Sequence, residues 1–331
     1  MLTHVDDRSP GITRRKRGKR WHYYTADAQR ITDAAETARL NALGVPPAYQ
    51  RVWFCPDATG HLQAIGYDAK GRKQYRYHAA FREAREAHKY DRCGSFGAAL
   101  PRLRAAVDRD MGERGLGKDK VVAAVVRLLD QGHVRVGNDC YANENDSYGA
   151  TTLRSDHGAV RGARVKLEYR GKSGKDQKVV ISDAALARVV RRCQDLPGQA
   201  LFQYVGDDGV PRRIGSGDVN AYIQDHMGED FSAKHFRTWG ASVIAFEAIR
   251  GGAATLKEVL VPVAAALGNT PAISRKSYVH PALIAAVSDG LGMELAALTL
   301  PRSTIWLTAA ERGLITFLDK QPAVSPNAAA A

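Results

Sequence analysis

Between residues 51 and 78 the chain consists of three short β-prone runs separated by turn sequences. The runs are RVWFC (51–55), HLQAIGYD (61–68) and RKQYRYH (72–78), and the turns between them are PDATG and AKG. Short strands broken by Gly and Pro at this spacing predict an antiparallel meander. This part of the chain is therefore expected to form a small β-sheet.

The last predicted strand of this sheet combines aromatic and cationic side chains. Because successive side chains of a strand point to opposite faces, Lys73, Tyr75 and Tyr77 would share one face. The opposite face would carry Arg72, Gln74, Arg76 and His78. Aromatic residues interleaved with cations are typical of a nucleic-acid-binding surface. The alternative, that Tyr75 and Tyr77 are core residues, fits the same pattern.

The rest of the chain has mainly helical patterns. An apolar stripe of Val121, Val125, Leu128 and Leu129 predicts a helix over residues 118–131. Further helices are expected over residues 26–43, 81–92, 183–195, 216–227, 232–250 and 255–267, the last kinked by Pro262. One β-hairpin, residues 163–181, interrupts them and carries Lys172 and Lys175 at its tip.

These patterns predict an α+β fold with four segments. Residues 1–20, which contain the block RRKRGKR (14–20), would be a basic arm that is either disordered or laid on phosphates. Residues 21–93 would form the β-sheet domain, with a break at CGSFG (93–97) as the boundary, and residues 94–318 a mostly helical domain. The low-complexity tail, residues 319–331, is expected to be disordered.

The net charge narrows the class of partner. The chain carries 48 Lys and Arg against 35 Asp and Glu, a net charge of +13. Residues 1–95 hold 18 of these cations and 10 of the acids, which is +8 of that total. A basic excess at one end is the pattern of a polyanion binder, with nucleic acid the leading candidate.

Other bulk features exclude several classes. The four cysteines are scattered without a CxxC pair, which argues against a zinc site or a disulfide framework and favours a reducing cytoplasm. No apolar run approaches the ~18 residues that a membrane span needs. The first 20 residues also lack the apolar core of a secretory signal.

One segment raises a chemical possibility. GNTPAISRKSYVHP (268–281) places Tyr278 near Arg275, Lys276 and His280. This tyrosine could be an ordinary helix residue, or a phenol that nearby cations help to ionise for attack on a phosphodiester. The minimal set for such attack is a tyrosine, two arginines to bind the phosphate, a lysine to protonate the leaving hydroxyl and one further donor. This chemistry needs neither a metal nor a nucleotide cofactor.

The sequence contains candidates for every member of that set. Arg135 follows the apolar helix, Lys172 occupies the hairpin tip, and Arg237 lies near the start of a helix, one turn after Lys234. Asn269 opens the Tyr278 segment and could be the additional donor. Each residue also has a simpler explanation: surface charge for the cations, a helix-ending role for Asn269. Composition and spacing leave both interpretations open.

An ordered series of segments resembles the type IB DNA topoisomerases of the poxvirus-like bacterial group, from about residue 20 to residue 290. The segments are GRKQYRYH (71–78), YDR (90–92), VVRLLDQGHVRVGNDCYANENDSYGATTLR (125–154), RGKSGK (170–175), CQDLPGQALFQY (193–204), GSGDVNAY (215–222), FSAKHFRTWGASV (231–243) and GNTPAISRKSYVHP (268–281).

The resemblance implies a role for each candidate. Tyr278 would be the nucleophile that becomes joined to the 3′-phosphate, and Arg135 and Arg237 would bind the scissile phosphate. Lys172 would be the general acid, with Lys234 as a possible auxiliary, and Asn269 would donate to a non-bridging oxygen. DNA contacts are expected from Lys73, Gln74, Tyr75, Tyr77 and Tyr141.

The resemblance further implies a monomeric, cytoplasmic, nucleoid-associated enzyme that needs no cofactor, with two lobes clamped around double-stranded DNA. A tyrosine recombinase is the nearest alternative, since it shares the catalytic fold. Recombinases commonly have His three residues before the second Arg, where this chain has Lys234. A non-catalytic DNA-binding protein would be expected to lack part of the catalytic set. A third hypothesis, an enzyme that acts on RNA, is supported by the net positive charge alone.

Overall fold

The structure, a computed structural model, describes residues 2–321 except 19, 70, 140, 141, 143 and 144. The described residues divide into two compact units, residues 2–88 and residues 89–321, and the division falls inside one helix. The expected mixture of a small antiparallel N-terminal sheet and a mostly helical second part that carries a hairpin is confirmed. The domain limits expected at residues 93 and 318 stay predictions.

The N-terminal unit is built on two antiparallel sheets. Strands β1 (Thr13–Arg17) and β2 (Arg20–Tyr24) form a hairpin, followed by α1 (Ala34–Ala42). Strands β3 (Gln50–Phe54), β4 (Leu62–Tyr67) and β5 (Lys73–Tyr77) form the meander in that order, and α2 (Ala79–Asp91) leaves it. The predicted meander is therefore confirmed, with strand ends within about one residue of those expected.

The basic arm is paired in this structure rather than disordered, while its alternative role in binding phosphates stays a prediction. Residues 13–17 pair with β2, the backbone of Ile12 exchanges hydrogen bonds with that of Phe54 (2.8 and 2.9 Å), and Thr3 bridges to Gly60. Ile12 is buried in the core of this unit with Tyr23 and Phe54. The cationic side chains of a β-strand can point to solvent while its backbone pairs, so a run of charge does not by itself exclude structure.

The helix expected over residues 26–43 is too long. The chain at residues 25–31 turns back along β2, with Ile31 N–H donating to Tyr23 O at 2.9 Å. The helix begins only after Asp33, whose Oδ1 accepts from Glu36 N–H at 2.8 Å and so caps the first turn.

The second unit is mainly helical. Its helices are α3 (Cys93–Gly112), α4 (Lys118–Gly132), α5 (Ala184–Gln194), α6 (Ser216–Met227), α7 (Lys234–Arg250), α8 (Leu256–Leu267), α9 (Pro271–Ser277), α10 (Pro281–Ser288), α11 (Gly292–Ala297) and α12 (Ala309–Leu318). Strands β6 (Gly158–Arg161), β7 (Arg164–Arg170) and β8 (Asp176–Ser182) form one sheet, while β9 (Gln203–Val205) pairs with β10 (Pro211–Arg213). The hairpin expected over residues 163–181 is confirmed as β7 and β8; the sequence did not predict β6.

Helix α4 lies at the centre of this unit and packs against α3, α5, α6 and α7. The apolar stripe predicted for it is buried, but so are Val122, Ala123, Ala124 and Val126 on its other faces. A helix that is apolar nearly all round is surrounded by protein rather than lying on the surface. Since α4 leads directly to Arg135, this packing fixes where that residue lies.

The break expected at residues 93–97 is instead the first turn of α3. Gly97 is buried there, and a Cβ on it would overlap the ring of Trp239 on α7. The glycine therefore permits close approach of two helices, whereas the sequence pattern indicated a turn. Helix α8 continues through Pro262. Its first turn is capped by the side chains of Thr255 and Glu258.

Candidate functional site

Arg237 is the most buried charged member of the predicted set, with 5% of its surface exposed. It lies on α7, which is buried along most of its length. Its Nη2 donates to Leu267 O at 3.0 Å, and its Nη1 donates to His133 O. Two backbone carbonyls from separate segments therefore fix the guanidinium plane.

Tyr278 lies beside this guanidinium. The Cζ of Arg237 is 4.8 Å from the centre of the Tyr278 ring, within cation–π range. Burial, and then the charge of Arg135, lowers the pKa of Arg237, while the charge and side-chain hydrogen bond of Tyr278 raise it. The opposing effect of Tyr278 is physically expected, because a guanidinium favours the phenolate form of a neighbouring tyrosine.

The local sequence explains why Tyr278 lies where a helix ends. The side chain of Thr270 caps α9 by accepting from Ile273 N–H at 3.3 Å, and Pro271 fits the first helical position. Tyr278 is the C-terminal cap, with its own N–H donating to Ser274 O at 3.0 Å. His280 precedes Pro281 and is extended, as residues before proline tend to be, so the helix cannot continue.

Asn269 connects the tyrosine segment to the other arginine. Helix α8 ends at Gly268, which has φ of 61°, a backbone conformation that favours glycine. Asn269 follows, and its Oδ1 accepts from Arg135 Nη2 at 3.0 Å. Its Nδ2 is buried and has no hydrogen-bond partner among the residues that the structure describes. An amide held in this way has a donor left for an external oxygen atom.

Arg135 lies in the loop after α4, whose backbone is held on one side. Ala150 N–H donates to Arg135 O at 2.8 Å and Thr151 N–H to Val136 O at 2.7 Å. The loop starts at His133, which has φ of 50° and ends α4. His133 is thus the residue that redirects the chain toward Arg135 and whose carbonyl holds Arg237.

Lys172 stays outside this cluster. It lies in the turn Lys172–Gly174 between β7 and β8, and its side chain is exposed. The base of the turn is well held, since Gly171 N–H donates to Lys175 O at 2.7 Å and Gly171 O accepts from Ser147 Oγ at 2.7 Å. Lys234, the first residue of α7, is also exposed. The structure therefore brings together Arg135, Arg237, Asn269 and Tyr278, but not the two lysines.

The sequence analysis missed a second tyrosine near the same arginines. Tyr169, on β7, is buried, and burial raises its pKa to about 12 although Arg237 and Arg135 act to lower it. The alternation of Val165, Leu167 and Tyr169 on the inner face of β7 was a usable signal for its position. No sequence signal could have identified the carbonyls of His133 and Leu267.

His280 has a structural role here. Its Nδ1 accepts from Ala282 N–H at 3.2 Å to cap α10, and its own N–H donates to Ser242 Oγ at 3.1 Å. Burial lowers the pKa of His280 to about 4, so the ring is neutral at pH 7. His280, although it is near Tyr278 in the sequence, is therefore not a cation beside the phenol.

The N-terminal unit presents the expected aromatic surface. The rings of Tyr75 and Tyr77 stack with their centres 5.8 Å apart, and Lys73 Nζ lies 5.5 Å from the Tyr75 ring centre. Tyr75 is 43% exposed, so its alternative assignment to the core is wrong. Lys73 forms an ion pair with Asp7, and Gln74 Nε2 donates to Asp68 Oδ2 at 3.0 Å. Tyr141 lies outside the described residues.

The cluster of Arg135, Arg237, Asn269 and Tyr278 places two guanidinium groups, and an amide N–H that is unpaired among the described residues, near a tyrosine, a combination suited to binding a phosphate beside a phenol. A model of the family described as eukaryotic DNA topoisomerase I, catalytic core, matches residues 78–283. A second model, bacterial DNA topoisomerase IB, N-terminal domain, matches residues 20–68. The chain belongs to the type IB DNA topoisomerase family.

Two viral topoisomerases are similar to most of this chain. The DNA topoisomerase 1B of Acanthamoeba polyphaga mimivirus is 33% identical over 81% of this chain and 85% of that protein. The DNA topoisomerase 1B of vaccinia virus (strain Copenhagen) is 20% identical over 73% of this chain and 76% of that protein. A solved structure of the XerH site-specific recombinase bound to a palindromic difH substrate (post-cleavage complex) aligns with 57% of this chain and 51% of its own, with 15% identity and a TM-score of 0.38.

Within the part of the chain that the structure describes, no helix combines the length and apolar character needed to cross a membrane.

Proposed function

We propose that this protein relaxes supercoiled duplex DNA by nicking one strand through a 3′-phosphotyrosyl intermediate at Tyr278, allowing the strand to rotate, and resealing it without ATP or a metal ion. The observation that carries the proposal is the cluster in which buried Arg237 lies beside the Tyr278 ring and Arg135 is bonded to Asn269. Family membership supports the same reaction.

In the forward step, Tyr278 Oη forms a bond to phosphorus while the bond from phosphorus to the 5′-oxygen breaks. Arg135 and Arg237 bind the non-bridging oxygens, where planar guanidinium groups match the phosphate geometry. Asn269 Nδ2, buried and without a partner among the described residues, donates to one of these oxygens. Since all these groups are already oriented, little reorganisation is needed as charge develops.

Lys172 gives a proton to the departing 5′-oxygen. An exposed lysine on a hairpin tip can reach a phosphate that is bound by the cluster, because its four-carbon side chain is free to move. Lys234 could assist from the start of α7. Since the phosphotyrosine ester is close in energy to the phosphodiester it replaces, attack by the 5′-hydroxyl reverses the step without ATP.

The N-terminal unit is proposed to bind duplex DNA through Lys73, Gln74, Tyr75 and Tyr77, with Tyr141 of the second unit as a further contact. The exposed stacked pair of Tyr75 and Tyr77 supports this assignment. We also propose that the protein acts as a monomer, because one chain supplies all four residues of the cluster. Its proposed substrate, duplex DNA, places it on the nucleoid in the cytoplasm. Sedimentation of the protein with a short duplex would test the stoichiometry.

A tyrosine recombinase would use the same cluster but exchange strands between two duplexes. Lys234, three residues before Arg237, and the match of residues 20–68 to a bacterial topoisomerase domain favour relaxation. Conversion of supercoiled plasmid to relaxed circles without recombinant products would agree with the proposal, and recombinant products would contradict it.

The test of the nucleophile is covalent trapping. Protein is mixed with supercoiled plasmid without divalent ions, stopped with detergent and assayed for a protein–DNA adduct. Wild type and Tyr169→Phe should form the adduct, since Tyr169 is buried and its pKa is raised, whereas Tyr278→Phe should not. Adduct from Tyr278→Phe would reject the assignment.

A further inference from the structure

One side chain contacts both the turn that carries Lys172 and the loop that carries Asn269. Gln177, on β8, packs against two glycines that lie in separate segments. A Cβ added to Gly268 would overlap Gln177 Oε1 and lie 2.8 Å from both its Cδ and its Nε2. A Cβ added to Gly171 would lie 2.7 Å from Gln177 Cγ. The Gln177 side chain therefore lies directly against both glycines, with its Cγ beside Gly171 and its amide group beside Gly268.

The positions of the two glycines give this contact its meaning. Gly171 immediately precedes Lys172, and Gly268 immediately precedes Asn269. The Nε2 of Gln177 donates to Asp176 O at 3.2 Å, which ties the side chain to its own turn. Gln177 therefore bridges the turn that carries the exposed lysine and the loop that carries the amide bonded to Arg135.

Backbone conformation distinguishes the two glycines. Gly268 has φ of 61° and would favour glycine in any packing, because that conformation is strained for other residues. Gly171 has φ of −96° and ψ of −166°, which other residues can adopt. Close approach of Gln177 is therefore the reason that the structure offers for a glycine directly before Lys172.

We infer that Gln177 is a positioning residue, which holds the Lys172 turn against the Asn269 loop so that the lysine reaches the 5′-oxygen of the phosphate bound by the cluster. The inference rests on the proposed function. Gln177 does not touch the reacting atoms; it acts through the placement of Lys172. Displacement of a catalytic group by about 1 Å can cost up to about 100-fold in rate, so loss of this contact should slow proton donation specifically.

A comparison of two substrates isolates that step. One is a suicide duplex with an ordinary phosphodiester at the cleavage site, and the other has sulfur in place of the bridging 5′-oxygen. A thiolate is a far better leaving group than an alkoxide, since thiol pKa values are near ~8.5, so its departure needs no general acid. A variant impaired only in proton donation should therefore be slow on the first substrate and normal on the second.

Gln177→Ala should cleave the phosphodiester at least about tenfold more slowly than wild type and cleave the sulfur substrate within about twofold of it. Gln224→Ala is the matched control, because Gln224 is exposed on α6 and its side chain makes one long bond among the described residues, to Glu229 O at 3.4 Å. It should cleave both substrates at the wild-type rate. Equal loss on both substrates by Gln177→Ala, or no loss on either, would overturn the inference.

A double-mutant cycle provides an independent test of the contact. Gly268→Ala places a methyl group where Gln177 lies, so it should slow phosphodiester cleavage by a larger factor in the wild-type background than in Gln177→Ala. Identical factors in both backgrounds would show that the two residues are not coupled, and would overturn the inference.

Lys172→Ala separates this inference from the proposed function. It should be slow on the phosphodiester and recover on the sulfur substrate. Failure of Lys172→Ala to recover would reject the assignment of the general acid itself and remove the basis for Gln177. Recovery of Lys172→Ala without recovery of Gln177→Ala would reject only the positioning role.

Discussion

The candidate site has two regions that differ in how their charges are held. In the cluster of Arg135, Arg237, Asn269 and Tyr278, Arg237 is bonded to two backbone carbonyls and Arg135 to Asn269. In the hairpin turn, Lys172 is exposed and, among the described residues, has no hydrogen bond or ion pair to the cluster. The same formal charge is thus fixed in one region and free to move in the other.

The difference matches two physical tasks. Stabilising charge on a phosphate works best with donors that are oriented beforehand in a site with little water, because their dipoles need not reorganise. Delivering a proton requires a group that can approach the departing oxygen, and a lysine on a turn can do so. The contrast teaches that hydrogen bonds that fix the side chain, rather than charge type, separate the phosphate-binding arginines from the proposed acid.

The largest effect is expected for Arg237→Ala. It should reduce the cleavage rate by at least about 10³-fold, because it removes an oriented charge from the reacting phosphate. It should also lower the free energy of unfolding by about 2–4 kcal/mol, since the carbonyls of His133 and Leu267 lose their donor. Single-turnover cleavage and urea unfolding measure the two effects.

Arg250→Ala is the control for this change. Arg250 lies on the same helix and also donates to two carbonyls, those of Leu295 and Leu298, at 3.1 and 2.7 Å. It should lose stability without a loss of cleavage rate. A comparable rate loss in both variants would mean that Arg237 acts only by stabilising the fold.

Lys172→Ala should lose cleavage rate without losing stability, the reverse of Arg250→Ala. The cleavage rate should fall by about 10²–10³-fold, as expected for loss of a general acid, while the free energy of unfolding changes by less than about 0.5 kcal/mol because the side chain is exposed. Lys175→Ala, also exposed in the same turn region, should keep the wild-type rate. Substantial destabilisation by Lys172→Ala would contradict its description as a free side chain.

A substitution of His280 should change how the free energy of unfolding depends on pH, because the His280 ring is buried in its neutral form. Burial lowers the pKa of His280 to about 4, so the unfolded state binds the proton more tightly. The neutral buried ring therefore contributes fully to the free energy of unfolding above the unfolded pKa of about 6.5. As the pH falls from there toward 4, this contribution is lost, which lowers the free energy of unfolding by up to about 3 kcal/mol. His280→Gln should remove this part of the acid sensitivity in urea unfolding between pH 7 and pH 4. An unchanged pH profile would contradict the assignment.

The smallest effects should come from substitutions in the hairpin of β1 and β2. One arginine there is fixed by contacts with other residues, and another is exposed. Arg14 donates to Val45 O at 2.8 Å and lies 4.1 Å from the Trp21 ring centre, whereas Arg17 is exposed and forms no ion pair among the described residues. Arg17→Ala should reduce the slope of log Kd against log salt by about 0.9, and Arg14→Ala should mainly reduce stability. Equal slopes for both variants and wild type would exclude Arg17 from phosphate contact.

The sequence predicted elements with strong periodicity and missed those that depend on tertiary contacts. The meander and α4 followed from local pattern, because turn residues and apolar spacing determine them. The start of α3 did not, since Gly97 looked like a break but serves close packing against Trp239. The pairing of the basic run before residue 20 was missed, because its partner strand cannot be identified from charge.

The candidate site was predictable to a similar degree. Arg135, Arg237, Asn269 and Tyr278 were named from the sequence, and the structure brings them together. Their supporting contacts were not, because a backbone carbonyl such as that of Leu267 carries no residue-specific signal and Gln177 reaches Gly268 only in the folded chain.

The strand formed by residues 13–17 has a practical consequence for protein engineering. A shortened version that starts at residue 20, where the N-terminal family match begins, would leave β2 without its partner and expose a bare sheet edge. Uncovered edges of this kind recruit strands from other molecules. Such a truncation would be expected to precipitate during expression, and a safer trimming point would lie before Thr3.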